Sequence, residues 1–205
     1  MERFQNTRQP DWGWWGRLWP APGETLRELG VEPGETLAEI GCGNGYFALP
    51  AARIVEPAPV YALDIDEALL EEFTELADQQ GIENVTAVDG DARQLSELLP
   101  EPVDVVLMAN TFHGIDETGP FVRQAFESLR PGGRFVVVNW ADAPRETTRI
   151  GGDPRGPPTE LRLSPEETTE AVLDAAAFSV QAVVDLPPYH YGVVFERDGR
   201  PDSDQ

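Results

Sequence analysis

Lysine is absent from this 205-residue chain, and all 15 of its basic residues are arginine. Against them stand 37 acidic residues, a formal net charge of −22 at pH 7. Such a surface offers no basic stripe to neutralise phosphates, so nucleic acid is not expected as a partner. Cysteine is scarce as well: the single Cys42 excludes an internal disulfide and any site built from several thiolates. The two histidines, His113 and His190, have no helical or strand spacing, which gives no metal site. No apolar run approaches the roughly 18 residues that span a bilayer. The first residues, Met1-Glu2-Arg3-Phe4-Gln5-Asn6, lack the basic and then apolar blocks of a secretory signal, so a cytoplasmic protein is expected.

The charge itself has a consequence. A compact domain at −22 repels itself in dilute buffer, and concentrated salt screens that load. Acid-rich, lysine-free composition therefore points to a halophilic host; an ordinary acidic protein from a GC-rich genome is the competing explanation. At this length one domain with a sizeable core is expected.

What the chain does have is Glu39-Ile40-Gly41-Cys42-Gly43-Asn44-Gly45, which closes a short apolar strand over 36–40 and opens a helix over 46–55. Glycine has no Cβ, so a ligand can press against bare backbone at the carboxyl end of the strand, where open α/β sheets bind ligands. A dinucleotide fingerprint needs its third glycine at position 46, which is Tyr here. A tight structural turn would also explain the glycines. A second buried strand, 60–63, ends at Asp64, close to the offset of about 20 residues at which an acid reaches a ribose. Asp66 competes for that role, although its place before Glu67 and Ala68 suits a helix N-cap. A third strand over 84–88 runs into Asp89-Gly90-Asp91-Ala92, where Asp91 either accepts from an adenine amino group or caps a helix.

These motifs, followed by Val103-Asp104-Val105-Val106-Leu107-Met108-Ala109-Asn110 and Leu129-Arg130-Pro131-Gly132-Gly133-Arg134, resemble the class I S-adenosylmethionine-dependent methyltransferases over about half the chain. The resemblance implies a single doubly wound, Rossmann-like α/β sheet of seven strands, mostly parallel, with the last strand inserted antiparallel. It also implies S-adenosyl-L-methionine as cofactor. Glu39, Gly41, Cys42, Gly43 and Gly45 would lie near the methionine part, Asp64 at the ribose, Asp91 and Ala92 at the adenine, with Ile65 and Asn110 completing the site. Cys42 is read as packing or cofactor contact, not a nucleophile.

Further helices are expected over 67–80, 117–129 and 165–177, and strands over 179–185 and 191–196. Residues 1–22 form an arm with Trp12, Trp14, Trp15 and Trp19, too aromatic for a disordered tail. It either packs on the sheet edge or folds over the cofactor site, where Trp14 and Trp15 would face the substrate. The methyltransferase domain is expected over 23–197 and a disordered tail over 198–205. His113, just past the fourth strand, is a candidate general base or a packed loop histidine. Tyr189 and His190 are candidates for a substrate pocket, and Arg149, Arg155 and Arg162 could clamp an anionic group or neutralise neighbours.

After the fourth strand stand Asn110-Thr111-Phe112-His113, unlike the Asn-Pro-Pro-Tyr pattern of amino methyltransferases acting on adenine or glutamine. A small organic acceptor is therefore expected, as in the quinone-biosynthesis group. The alternatives are a non-catalytic S-adenosylmethionine-binding partner or scaffold, and a nicotinamide enzyme on a similar fold.

Overall fold

The computed structural model describes residues 12–199; residues 1–11 and 200–205, and the side chains of Trp12 and Trp14, lie outside the description. Most of the tail expected to be disordered therefore falls outside it, as does Trp14 as a substrate contact.

Helices α1 (Trp12–Leu18) and α2 (Pro22–Glu28) lead into β1 (Leu37–Ile40), α3 (Ala48–Val55), β2 (Val60–Asp64), α4 (Glu67–Gln80) and β3 (Val85–Asp89). A short helix α5 (Leu95–Leu98), β4 (Val103–Ala109), α6 (Thr118–Ser128) and β5 (Leu129–Trp140) follow. The chain ends with a small hairpin β6 (Arg149–Ile150) and β7 (Asp153–Pro154), then α7 (Pro165–Leu173), β8 (Phe178–Leu186) and β9 (His190–Arg197).

β1 and β2 are buried along their whole length, and apolar apart from Glu39 and Asp64, because helices cover both faces of the sheet. One layer joins Leu26, Leu49 and Phe73 of the helices to Leu37, Leu107 and Val138; the opposite layer joins Leu95, Phe121 and Val172 to Ile40, Val106 and Phe135. Leu18 and Trp19 of the arm are buried in the first of these layers.

The seven-stranded sheet runs β3-β2-β1-β4-β5-β9-β8, as the resemblance implied, and β9 lies antiparallel between β5 and β8. Chain order reverses between β1 and β4, the switch point at which such sheets open a crevice. The antiparallel register also matters: Trp140, the last residue of β5, faces His190, the first of β9. The start of β9 thereby joins the carboxyl ends of β1, β4 and β5 on one edge.

Three differences from the sequence reading have local causes. α3 starts at Ala48 because the positive φ of Gly45 and the hydrogen bond from Gly45 N–H to Cys42 O keep the preceding residues in turns. α7 is capped by the reciprocal Ser164 and Glu167 bonds, but ends at Leu173 so that the chain can turn into β8. The long loop after β5 contains a hairpin, since Gly151 and Gly152 both adopt the positive φ of a tight two-residue turn.

Candidate active site

The glycine loop crosses from β1 to α3 directly above the end of β2. Gly41 and Cys42 donate to the Leu63 carbonyl at 2.8 and 3.1 Å, and Gly43 donates to Asp64 Oδ2 at 2.8 Å. Asp64 Oδ1 accepts from the Asp66 amide at 3.1 Å. A carboxylate has about four acceptor positions, so both oxygens keep capacity for ligand hydroxyls. Asp66 itself caps α4, accepting from Ala68 N–H at 3.0 Å.

No side chain fits at two of the glycines. Gly41 has φ +68°, and a Cβ there would lie 2.8 Å from Thr111 Oγ1. Gly45 has φ +90°, and its Cβ would run into the Phe73 ring and sit 3.1 Å from Leu49 Cγ. Both of these last neighbours are buried core residues. Gly45→Ala should cost about 2–4 kcal/mol through left-handed strain and overpacking. In a protein of this size that lowers Tm by about 5–15 °C, measurable by differential scanning calorimetry.

Glu39 is buried under this loop, and its Oε2 has no hydrogen-bond partner. Burial raises its pKa well above the usual carboxylate range, the nearby Asp64 charge adds to this, and the Ala48 amide at the start of α3 opposes it. Burial, then Glu39 and Asp64, push the Cys42 thiol up too, so it stays protonated and donates weakly to Gly43 O at 3.4 Å. Among the described residues neither Glu39 nor Asp64 has an arginine partner. Two carboxylates in one enclosed place, one with an orphaned oxygen, suit a cationic ligand.

The adenine candidates sit beside them. Gly90 N–H donates to the Asp64 carbonyl at 3.1 Å, which brings the turn after β3 against the end of β2. Asp91 caps that turn, accepting from Arg93 N–H at 2.9 Å, and forms an ion pair with the Arg93 guanidinium. The Arg93 hydrogen bonds hold the Asp91 carboxyl below its usual range. Ala92 follows it, and Ile65, 64% exposed, leaves an apolar side chain open at the mouth.

On the other side of the switch point, Asn110 directly follows β4 with φ 59°, and neither polar atom of its side chain has a partner. His113 follows on a short 3-10 turn. Burial pushes its pKa down to about 4, an Asn139 hydrogen bond opposes the shift, and Arg162 adds to it. His190 is 2% exposed, and both its ring nitrogens lack partners. Its ring lies 4.5 Å from Trp19 and 4.2 Å from Trp140, and Tyr189 stacks on Trp140 at 6.4 Å. Burial, Arg162 and His113 drive its pKa well below the usual imidazole value. Both imidazoles are neutral at pH 7.

The described part of the arm, residues 12–22, packs at this edge. Tyr46 donates to the Trp19 carbonyl at 2.7 Å, Trp15 stacks on Tyr46 at 5.6 Å, and Trp19 meets Phe47 edge-on at 5.4 Å. The sequence reading overlooked Tyr46, Asn139 and Trp140 as site residues. Trp140 was legible only as the end of a strand whose antiparallel neighbour begins with His190. Arg155 pairs with Asp153 at 3.3 Å within the hairpin.

The family described as a methyltransferase domain matches residues 32–155, more than half of the chain. The chain belongs to this methyltransferase family. A solved S-adenosylmethionine-dependent methyltransferase from Aquifex aeolicus is 27% identical, with a TM-score of 0.76 over 89% of this chain and 93% of that one. Family and fold imply S-adenosylmethionine as the cofactor of this methyltransferase. A cationic group fits the orphaned Glu39 carboxylate, and hydroxyls fit the acceptor positions left on Asp64. A tRNA (guanine(6)-N2)-methyltransferase of Thermus thermophilus is 34% identical over 148 residues, 67% of this chain and 44% of that protein. The structure of TrmN from the same organism matches with a TM-score of 0.61 and 25% identity, over 86% of this chain and 48% of that one. The methyltransferase thus spans less than half the length of both.

That kinship corrects the exclusion of nucleic acid. Net charge governs long-range steering over the whole surface. It does not decide which planar group enters a local cleft, and a relative of this methyltransferase acts on tRNA. Among the described residues no helix is long and apolar enough to cross a membrane.

Proposed function

We propose that the protein transfers a methyl group from S-adenosylmethionine to a small planar organic acceptor lying between Trp19 of the arm, Trp140 and the loop after β4. The observation that supports this most is the convergence of orphaned buried polar atoms on one edge: Glu39 Oε2, both polar atoms of Asn110, His113 Nδ1 and both nitrogens of His190. Native interiors leave few such groups without partners, so a polar guest is the economical explanation.

S-adenosylmethionine held there would supply an electrophilic methyl on a cationic sulfur, with a neutral thioether as the leaving group. Glu39 and the glycine loop hold the methionine part, Asp64 the ribose hydroxyls, and Ile65, Asp91 and Ala92 border the adenine. Tyr46 and the arm exclude water. His113, neutral with a pKa of about 4, is too weak to ionise a hydroxyl beforehand. It is basic enough to take that proton once the oxygen becomes cationic during bond formation.

A second reading, a nucleobase presented by RNA, is favoured by the tRNA-modifying relative. Calorimetric titration with S-adenosylhomocysteine tests the cofactor site. Transfer of labelled methyl to a small-molecule library and to unmodified tRNA then separates the two acceptors. No S-adenosylhomocysteine binding by folded protein would reject methyl transfer, whereas binding without transfer to any acceptor would favour the scaffold reading. A saline host is part of the same proposal: Tm should climb from low to molar salt as self-repulsion is screened, and a flat curve would remove it.

A further inference from the structure

Arg162 stands apart from the other arginines of the site region. It is 5% exposed, and its guanidinium bonds only to uncharged groups: Thr148 Oγ1 at 2.9 Å and the carbonyls of Arg155 at 3.1 Å, Pro157 at 3.3 Å and Ala141 at 3.5 Å. Among the described residues it has no carboxylate partner. Guanidinium does not give up its proton in proteins, so this is a permanent buried charge with no carboxylate bonded to it, Asp142 and Glu146 acting on it only from beyond ion-pair distance. It lies over the Trp140 ring, 5.2 Å from the centroid, and that ring also meets His190 and Tyr189. Partly compensated by the ring's π face, the charge still lacks an anion.

Resting on the methyl-transfer reading above, we propose that the acceptor carries a carboxylate on its planar ring, held in the field of Arg162 by N–H groups of His113 and His190. Three facts converge on this. The unpaired cation calls for an anion, and the orphaned imidazole nitrogens offer donors to its oxygens. Trp19 and Trp140 pack on the His190 ring and Tyr189 stacks on Trp140, an aromatic surround suited to a planar group beside it. The opposite half of the crevice, with Glu39 and Asp64, has the contrary sign. An acceptor anchored near Arg162 therefore lies across the switch point from the cationic cofactor, with its nucleophilic atom free to point toward it.

The groups that act on these imidazoles are Arg162 on both rings, His113 on His190, and Asn139 on His113. Arg145, Asp142 and Glu146 act on Arg162. None is a carboxylate in contact with either ring, so a bound carboxylate would raise both imidazole pKa values and its own binding should tighten as pH falls. The test uses the full chain, first titrated with S-adenosylhomocysteine and then with benzoate, benzamide and guanosine.

Benzoate should bind about tenfold or more tightly than benzamide. Its affinity should rise as pH falls from neutral toward about 5, above the pKa of about 4 that His113 has in the free protein, while that of benzamide stays flat. Arg162→Met should erase the preference in protein that still binds S-adenosylhomocysteine; the pH series on the wild type stands if that variant does not fold. Equal binding of benzoate and benzamide, no benzoate binding, or preference for guanosine would overturn the carboxylate proposal while leaving methyl transfer in place. Failure of S-adenosylhomocysteine to bind would instead strike at the methyl-transfer reading.

Discussion

Replacing Asp64 by alanine should weaken S-adenosylhomocysteine binding by about 1.5–3 kcal/mol, the worth of charged hydrogen bonds to two ribose hydroxyls. On the affinity scale that is a loss of about 10- to 150-fold. The effect is expected to be large because Asp64 does two things at once. It has acceptor positions left for ligand hydroxyls, and through Gly43 N–H it fixes the glycine loop proposed to hold the cofactor. Asp64→Asn separates the two: it can still accept from Gly43 but loses the charge, and should fall between wild type and Asp64→Ala. Asp66→Ala is the control for the competing assignment. It removes the cap of α4, at about 1 kcal/mol of stability, and should leave affinity unchanged. If calorimetry instead shows that Asp66→Ala loses binding and Asp64→Ala keeps it, the ribose assignment belongs to Asp66.

The sheet was legible in the sequence because its central parallel strands are buried on both faces and so appear as apolar runs, and because the residues at their carboxyl ends break those runs with glycine or acid. Glu39, Asp64 and Asn110 stand at such breaks. The acceptor half was less legible. Trp19 comes from the arm, Trp140 from the end of β5, His190 from the start of β9 and Arg162 from the long loop, and nothing in linear spacing brings these four together. The decisive step is the antiparallel insertion of β9, which sets His190 opposite Trp140. The hairpin that carries Arg155 back to Arg162 depends on two adjacent glycines whose φ could not be read from composition. The exclusion of nucleic acid failed for a different reason: total charge describes a surface, whereas the chemistry takes place in a crevice whose two halves differ in sign.

That difference in sign leads to the last expected result, in which stability and function move in opposite directions. Glu39→Gln should raise the Tm of the cofactor-free protein at neutral pH and weaken cofactor binding by about tenfold. Because the folded-state pKa of Glu39 lies above its unfolded value, the folded protein binds the extra proton between the two. By linkage, the Glu39 contribution to stability is fully present below the unfolded pKa, near 4.3. It is lost as pH rises through the folded pKa, after which the penalty of the buried charge is constant. Glutamine carries no such charge, so the gain in Tm should be small at about pH 4 and grow as pH rises toward the folded pKa of Glu39. Adding S-adenosylmethionine should reverse the order of the two proteins, since the cation compensates Glu39 but finds no charge on glutamine. Melting curves at two pH values, with and without cofactor, read all of this. If the Glu39→Gln variant were less stable than wild type in the absence of cofactor, the Glu39 carboxylate would already be compensated in the empty fold, and its orphaned oxygen would not be waiting for a cation.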